Sequence, residues 1–308
     1  MVIASCTPRT HEPLFRSACN EAGLNPYLFE MANIRDQCSW VHMHEPKEAT
    51  EKSKDLVRSA VAKARLLKPL PKPAINVVPA ALVIGGGLSG MVSSLEIAKQ
   101  GFDVHLVEKE SELGGYARKI HYLLGPEDPQ KQLESIIKEV MGNDKIHVHL
   151  NSDVSDLKGY IGNFKTTLND NGKKKEIEHG VVIIATGAQE LKPNEYLYGT
   201  DERVFTQHEL EEMLANGTVD AKMVVMIQCV GSRNQERPNC SRICCGQAVK
   251  NALKIKELSP ETDVYVSYKD MRTFGFREDY YREAADKGVV FIRYDDETKP
   301  EVTKEDGK

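Results

Sequence analysis

The sequence has few aromatic residues and no long apolar run. Aromatic side chains make up 6% of the 308 residues, with a single tryptophan, which disfavours a surface that stacks nucleic-acid bases. The net charge of −5 gives no overall attraction to nucleic acid either. No stretch approaches the roughly 20 apolar residues that span a bilayer. We therefore expect neither a nucleic-acid partner nor a transmembrane segment.

The N-terminus also lacks an export signal. Residues 1–6 contain no basic segment followed by an apolar run and a small-residue cleavage site. We therefore expect a cytoplasmic location, where the seven cysteines are not expected to form a disulfide framework. Clustered cysteines in that compartment favour metal binding or redox chemistry.

Local composition predicts three regions in the chain. Closely spaced prolines at 69, 71 and 73 cannot continue a helix, and they predict a stiff linker over residues 67–74. We predict a small N-terminal α/β region that includes this linker (1–75), an incomplete dinucleotide-binding domain (76–220) and a second Rossmann-like domain (221–308).

Apolar strands alternate with helices in the second and third regions. Predicted strands at 81–84 and 104–107 flank a helix, and residues 146–190 are expected to be largely β structure. Residues 223–293 follow a βαβαβ pattern. This alternation predicts an α/β fold with parallel sheets.

A glycine loop joins the first strand and helix of the second region. Gly85, Gly87 and Gly90 form G-x-G-x-x-G between a predicted strand and a predicted helix, the context that this motif requires. The glycines allow a tight turn, close approach of the backbone to a pyrophosphate, and close packing of helix on strand. The helix is predicted to begin at Ser89, directly after Leu88, and free N–H groups at its start would meet the phosphates. The loop predicts a dinucleotide site.

An acidic residue follows the next strand. Glu108 lies 18 residues after Gly90, and Lys109 comes directly after it. A carboxylate at this place can accept hydrogen bonds from a ribose diol, and it would repel a 2′-phosphate. The alternative for Glu108 is a surface acid in the charged stretch 108–112. The complete arrangement favours the ribose role, but it serves FAD and NAD alike.

Four cysteines occupy the turn after the first strand of the third region. Cys229 follows that strand, and Cys240, Cys244 and Cys245 lead into the next helix, with no second G-x-G-x-x-G. A helix N-terminus stabilises thiolates. The adjacent pair is awkward for tetrahedral zinc, whereas iron–sulfur ligation tolerates more varied spacing. A [4Fe–4S] cluster is therefore favoured over structural zinc and over buried or redox-active thiols.

Residues 82–190 resemble the two-domain flavoprotein disulfide reductases. These proteins carry a Gly-Gly turn after the acid, which corresponds to Gly114 and Gly115. Their A-T-G turn, where the chain leaves the FAD domain, corresponds to Ala185, Thr186 and Gly187. The resemblance implies that the dinucleotide is FAD.

Longer segments resemble the A-type subunit of heterodisulfide reductase and its bacterial relatives along essentially the whole chain. They are residues 4–13, 26–35, 37–42, 229–233 and 240–245. The resemblance implies a thioredoxin-reductase-like fold with FAD, and a [4Fe–4S] cluster held by Cys229, Cys240, Cys244 and Cys245. It also implies an oligomeric complex with B- and C-type subunits, and ferredoxin, hydrogenase or dehydrogenase subunits as electron donors.

The resemblance implies further roles outside the cysteine loop. Lys250 would approach the flavin and favour its anionic reduced form, the alternative being an exposed helix lysine. Cys6 would be a ligand of a second cluster in the N-terminal region. We also expect both ends to be cut, because the chain begins inside a family-like domain and ends at Lys308 without a return to the FAD domain.

The sequence therefore predicts a flavin and iron–sulfur electron-transfer subunit that belongs to an oxidoreductase. Two alternatives remain. One is a pyridine-nucleotide-dependent disulfide reductase with a dithiol at Cys244 and Cys245, although the second nucleotide fingerprint is missing. The other is a non-catalytic scaffold whose four-cysteine site holds zinc.

Overall fold

The computed structural model describes residues 1–71, 73–217 and 219–305. Lys72 of the predicted linker, Thr218 near the predicted second boundary, and the last three residues of the predicted third region lie outside the described residues. The chain divides into two compact units, residues 1–75 and 76–308. The division into three domains places a further boundary within the second unit, and it stays a prediction.

The first unit is a small α/β fold. Strands β1 (Val2–Ser5) and β2 (Glu30–Asn33) pair in parallel, and helix α1 (Pro8–Glu21) connects them. A short π-helical segment (Arg35–Ser39) and helix α2 (Pro46–Ala64) follow. Both helices have proline in the first turn, where the missing N–H removes no helical hydrogen bond.

The second unit alternates strands and helices, apart from three consecutive antiparallel strands in its middle. Its elements are, in chain order, β3 (Ala80–Ile84), α3 (Leu88–Lys99), β4 (Asp103–Val107), a 3₁₀ helix (Gly115–Lys119), α4 (Pro129–Met141), β5 (Ile146–His149), β6 (Ser152–Tyr160), β7 (Asn163–Asp170), β8 (Lys173–His179), β9 (Val181–Ile184), α5 (Gln207–Ala215), β10 (Met223–Ile227), α6 (Cys244–Leu258), β11 (Asp263–Tyr268), α7 (Arg277–Asp286) and β12 (Val290–Arg293).

Two parallel sheets carry the candidate sites of this unit. The first has the strand order β5-β4-β3-β9, and the second has the order β10-β11-β12. Strands β6, β7 and β8 form a separate antiparallel sheet. In both parallel sheets the strand at which a Rossmann unit begins, β3 or β10, runs into a turn and then a helix. The α/β prediction is therefore confirmed, including the second βαβαβ pattern.

Apolar residues of the parallel strands form the two main cores. Leu82, Val83, Val104 and Leu106 of the first sheet are inaccessible to solvent, which explains their unbroken apolar character. In the second sheet, Met226 of β10 packs with residues of β11 and α6. These cores hold the turns at the carboxyl ends of the strands, where open α/β sheets bind ligands.

Helix caps explain where two further helices begin. The side chain of Asp128 accepts hydrogen bonds from the N–H groups of Gln130 and Lys131 at the start of α4. Thr206 and Glu209 form a reciprocal capping box at the start of α5. Across the described ranges, no helix combines the length and the apolar character needed to cross a membrane.

Candidate functional site

The glycine loop packs so tightly that two of its three motif glycines, Gly85 and Gly90, have no room for a side chain. A Cβ atom at Gly90 would lie 1.9 Å from the carbonyl oxygen of Gly85. Gly85 has φ +109°, and a Cβ there would lie 2.3 Å from the carbonyl oxygen of Ala185. The loop between β3 and α3 therefore contacts the turn after β9 through backbone atoms.

Gly87 has a different environment from its two neighbours in the motif. It precedes the first turn of α3 as the N-cap, makes no side-chain cap, and a Cβ built on it would meet no atom within 4 Å. Leu88 and Ser89 are exposed in that first turn. Open space in front of uncapped helical N–H groups fits the pyrophosphate of a dinucleotide.

Glu108 is buried at the end of β4 and faces the glycine loop. Its carboxylate accepts hydrogen bonds from the N–H groups of Gly86, at 2.6 Å, and Glu110, at 2.9 Å. A surface role for Glu108 is therefore wrong, since its exposure is 7%. The adjacent Lys109 is exposed and pairs only weakly with Glu110, at 3.5 Å, so the structure does not bring it to the carboxylate site.

The Gly-Gly turn lies against the glycine loop. The N–H of Gly114 donates to the carbonyl oxygen of Gly86 at 2.8 Å. A Cβ on Gly115 would lie 3.3 Å from Cα of Gly87. Gly86 was overlooked in the sequence, although it is the residue that connects this turn with Glu108. Its position between two motif glycines was the signal that could have identified it.

The turn after β9 is the third turn that lies against the glycine loop. Ala185 donates its N–H to the carbonyl oxygen of Ile84 at 2.8 Å, directly before the glycine loop. Thr186 and Gly187 follow in exposed positions, and Gly187 has φ +66°. The described residues thus bring together the three turns that the sequence assigns to one dinucleotide, and their geometry fits its ADP half.

The cysteine loop, which connects β10 with α6, differs from the glycine loop in its backbone conformation. Cys229 follows β10 with φ 62°, and Arg233 and Arg242 in the same loop have φ 55° and 62°. Residues with a side chain rarely adopt the left-handed region, and such residues concentrate at functional sites. Cys244 and Cys245 form the first turn of α6, which has no side-chain cap.

Two of the four loop cysteines interact through their thiols, and a third, Cys229, contributes its backbone N–H to one of them. The neighbouring Cys245 thiol, together with Ser241 and the backbone N–H of Cys229, lowers the pKa of the Cys244 thiol to about 6. The Cys244 thiol and burial raise the pKa of Cys245, whose Sγ lies 3.7 Å from the carbonyl oxygen of Asp270. A guanidinium nitrogen of Arg233 lies 4.0 Å from Sγ of Cys229.

Cys240 does not join this group. Its Sγ accepts a hydrogen bond from the N–H of Arg242, two residues further along the loop. Throughout the described residues, no set of three or more His, Cys, Asp or Glu side chains is arranged to hold a metal ion. The thiol chemistry suits iron or zinc, but the four side chains do not form a closed ligand set in this conformation.

The N-terminal cysteines fall in the first unit. Cys6 and Cys38 both line a cavity of about 500 Å³, and the Cys38 thiol donates to the carbonyl oxygen of Ala49 at 2.7 Å. Cys19 is buried within α1. Cys6 therefore shares a cavity with a second cysteine, and its role as a cluster ligand stays a prediction.

Lys250 is not an exposed helix lysine. Its side chain is 11% exposed, and its ammonium group lies 2.8 Å from Glu211, which is fully buried. It also donates to the carbonyl oxygen of Tyr122 at 2.9 Å. Glu211 was not predicted from the sequence, because one acid in a polar helix carries no signal of burial. The role of Lys250 toward a flavin stays a prediction.

Comparison with known proteins agrees with this geometry. The family model described as pyridine nucleotide–disulphide oxidoreductase matches residues 79–226, which include all three turns of the dinucleotide site. The fold and the site thus define an oxidoreductase domain of this class, and they support a flavin as its cofactor.

Curated relatives indicate a more specific group of proteins within this class of oxidoreductases. The A-type subunit of H₂:CoB-CoM heterodisulfide,ferredoxin reductase from Methanothermobacter thermautotrophicus is 35% identical over 95% of this chain and 59% of its own. The second A-type iron-sulfur subunit of CoB–CoM heterodisulfide reductase from Methanopyrus kandleri gives the same values. The chain is therefore a relative of the heterodisulfide reductase A-type subunits, as its sequence motifs predicted, and it spans 59% of the length of these proteins.

Among solved structures, thioredoxin reductase from T. acidophilum is similar to this chain, with 15% sequence identity. The match covers 72% of this chain and 68% of that chain, with a TM-score of 0.45.

Proposed function

We propose that this chain is a flavin- and iron–sulfur-dependent electron-transfer subunit of a heterodisulfide-reductase-like complex. The observation that carries the proposal is the pair of contrasting turns in one unit. One is a glycine turn built for a pyrophosphate, and the other, after the corresponding strand of the second sheet, carries cysteines. The relatives' printed names, which include an iron-sulfur subunit, support the same conclusion.

Each part of the dinucleotide site has a distinct task in this proposal. The N–H groups at the start of α3 bind the pyrophosphate, and Gly87 leaves the space that it needs. Glu108, held by Gly86 and Glu110, accepts hydrogen bonds from the adenosine ribose. FAD, when bound, supplies the exchange of two electrons with one partner and of single electrons with another.

The proposed cluster ligands are Cys229, Cys240, Cys244 and Cys245. The thiols of Cys244 and Cys245 interact, and the backbone N–H of Cys229, a residue with a left-handed backbone angle, contacts the Cys244 thiol. The Sγ of Cys240 accepts a hydrogen bond from the N–H of Arg242, which a ligating thiolate can keep. Arg233 and the helix N-terminus place positive charge beside anionic sulfur.

Anaerobic reconstitution of the full chain with FAD, ferrous iron and sulfide tests this proposal. We expect flavin absorbance, about four iron atoms per chain for one [4Fe–4S] cluster, and a new paramagnetic signal after dithionite reduction. A chain that retains neither flavin nor iron contradicts the proposal. Retention of zinc without iron supports the scaffold alternative.

A second candidate function is a pyridine-nucleotide-dependent disulfide reductase. The interacting thiols of Cys244 and Cys245, one with a lowered pKa, favour it, because a thiolate is the attacking group in disulfide exchange. NADH or NADPH would then bleach the bound flavin of the isolated chain. We expect no bleaching, because the turn after β10 lacks the glycines that admit a second dinucleotide.

The partners proposed for this chain are B- and C-type subunits and a ferredoxin, hydrogenase or dehydrogenase donor. The relatives are named as subunits of reductases, one of which includes ferredoxin in its name. Co-purification with such subunits from the native cell extract tests this proposal. A cytoplasmic location likewise stays a prediction.

A further inference from the structure

Three histidines form a cluster on one face of the first parallel sheet. His105 of β4 lies directly opposite His147 of β5, and His149 follows two residues later on the same strand. Side chains two residues apart in a strand point to the same face of the sheet. Leu82 and Val107 share this face and pack against residues of β7 and β8. The histidine cluster therefore lies on the side of the parallel sheet that faces the antiparallel sheet.

Two ring nitrogens of the histidine cluster lie at the separation that one metal ion requires. Nδ1 of His105 and Nε2 of His149 are 3.2 Å apart. Two nitrogens bound to one tetrahedral zinc ion, at about 2.0–2.1 Å each, are about 3.3 Å apart. The two histidines on neighbouring strands can therefore bind one ion together with only small rotations of their rings.

The third ring lies beside this pair. The ring centroids of His147 and His105 are 5.1 Å apart. As the side chains lie, the described residues form no complete set of three ligands, so His147 must turn to join the other two. Its position permits this, because β5 is the edge strand of the sheet and the His147 side chain is 49% exposed.

The two inner rings are in the protonation state that binds metal. Burial, together with the neighbouring imidazoles and Lys175, lowers the pKa of His105 to about 4. Burial and Lys175 also lower the pKa of His149. Both rings are therefore neutral at pH 7, and neutral imidazole is the form that ligates a metal ion.

Carboxylates lie behind two of the rings. Oδ2 of Asp170 on β7 lies 3.6 Å from Nδ1 of His149, on the opposite side of the ring from the nitrogen that faces His105. Oδ1 of Asp103 lies 3.8 Å from Nε2 of His147. A carboxylate behind a ligating imidazole fixes its tautomer and raises its basicity, so this arrangement favours Nε2 of His149 as the ligand atom.

We propose that the histidine cluster binds a divalent transition-metal ion of the zinc type, with His105 and His149 as the first two ligands and His147 as the third. Imidazole is a suitable ligand for zinc, copper and nickel, and water completes a tetrahedral site. The ion joins β4 to β5 beside the antiparallel sheet. This inference is independent of the proposed function, because none of its ligands belongs to the glycine loop or to the cysteine loop.

Zinc binding by the full chain at pH 7 tests the proposal. X-ray absorption of the zinc-loaded chain distinguishes nitrogen ligands, at about 2.0–2.1 Å, from cysteine sulfur, at about 2.3 Å. We expect a nitrogen-ligated zinc ion in addition to any zinc that the cysteine loop binds. His105→Gln and His149→Gln are each expected to lose the nitrogen-ligated ion and to leave sulfur-bound zinc unchanged.

His121→Gln is the matched control, because His121 is an exposed histidine of the same unit. We expect it to retain the nitrogen-ligated zinc. Should the two ligand variants fail to fold, Asp170→Asn keeps all three imidazoles and removes the carboxylate behind His149. The Asp170 side chain is partly exposed, and its replacement is expected to weaken zinc binding about tenfold.

The proposal is overturned if nitrogen-ligated zinc survives both His105→Gln and His149→Gln, or if it is lost equally from His121→Gln. A wild-type chain whose zinc is bound by sulfur alone, or which retains no zinc after dialysis, also overturns it. If only the fallback variant folds, unchanged zinc affinity in Asp170→Asn has the same meaning. None of these results affects the flavin and iron–sulfur assignments.

Discussion

The turn after β3 and the turn after β10 begin the same kind of structural unit, yet they differ in length, backbone conformation and side chains. The first is short and consists of glycines whose missing side chains allow backbone-to-backbone contact. The second is a long loop in which Cys229, Arg233 and Arg242 adopt left-handed backbone angles without being glycine. One parallel strand–turn–helix unit can therefore present N–H groups to a phosphate or thiols to a metal, depending only on the turn.

The two turns also face the same kind of environment. Each lies at the carboxyl ends of parallel strands, at the start of a helix without a side-chain cap. The helix N-terminus stabilises anions in both places, whether these are phosphate oxygens or thiolates. What distinguishes the turns is the space that they leave and the side chains that they place there.

The largest effect is expected from removing a thiol in the second turn. Cys244→Ser is predicted to abolish iron retention after reconstitution, because the serine oxygen is a poor substitute for a cluster thiolate. Flavin content should stay unchanged, since the glycine turn is built separately. Iron and flavin analysis per chain measures both quantities. The matched control is Cys19→Ser, which alters a buried cysteine of the first unit. Equal loss of iron in both variants would contradict the assignment.

Replacement of Gly90 tests the packing of the first turn. Gly90→Ala forces a methyl group to within 1.9 Å of the carbonyl oxygen of Gly85, and such overpacking costs about 3 kcal/mol. We expect a lower free energy of unfolding in urea and loss of flavin. Gly87→Ala is the control, because its methyl group meets no protein atom. It should retain stability and weaken only flavin binding. Equal free energies of unfolding for the Gly90→Ala and Gly87→Ala variants would refute this difference between the two glycines.

Glu108→Gln is expected to have a smaller effect. The amide keeps the shape of the carboxylate but weakens the charge-assisted hydrogen bonds from Gly86 and Glu110, at a cost of about 2 kcal/mol. Flavin affinity should fall by an amount that corresponds to this free-energy cost. Equilibrium fluorescence titration measures the affinity. Unchanged affinity and stability would show that this carboxylate neither supports the turn nor contacts the ribose.

The smallest expected effect is a pH dependence of stability, which should differ between the two parallel sheets. His105 on β4 lies 3.2 Å from His149 on β5, and its ring is tilted against that of His147, with centroids 5.1 Å apart. Burial and these two histidines, together with Lys175, lower the pKa of His105 to about 4. The unfolded chain binds the proton more readily, so stability is greatest above pH 6.5 and falls as the pH drops toward 4.

For this partly exposed group the loss amounts to about 1–2 kcal/mol. Urea unfolding between pH 7 and pH 4 measures the loss, and His105→Gln should reduce its slope. Hydrogen exchange should show β4 and β5 opening before β10 and β11. Simultaneous opening of both sheets would contradict the assignment of the acid-induced loss of stability to the histidines of β4 and β5.

Residues with a distinctive type and spacing could be predicted from the sequence. The glycine loop, Glu108 and the four loop cysteines follow apolar strands, and β3, β10 and α6 lie close to their expected positions. The relationship to heterodisulfide reductase A-type subunits also followed from short motifs. The roles of the individual site residues remain predictions.

Elements that depend on tertiary context could not be found in the same way. Strand β6 is mostly exposed and polar, so it lacks the alternation that predicts a strand. Helix α5 was overlooked, although Thr206 and Glu209 form the capping box that signals a helix start. Burial of Glu211 depends on Lys250, some 40 residues away, and no local pattern records that contact.

The central claim is that one turn holds FAD and the other a [4Fe–4S] cluster in the same chain. Iron, sulfide and flavin quantification on the reconstituted protein, combined with electron paramagnetic resonance after dithionite reduction, tests it most directly. We predict about one flavin and about four iron atoms per chain, with a cluster signal that Cys244→Ser removes. Flavin without iron, or a signal that survives that substitution, would contradict the claim.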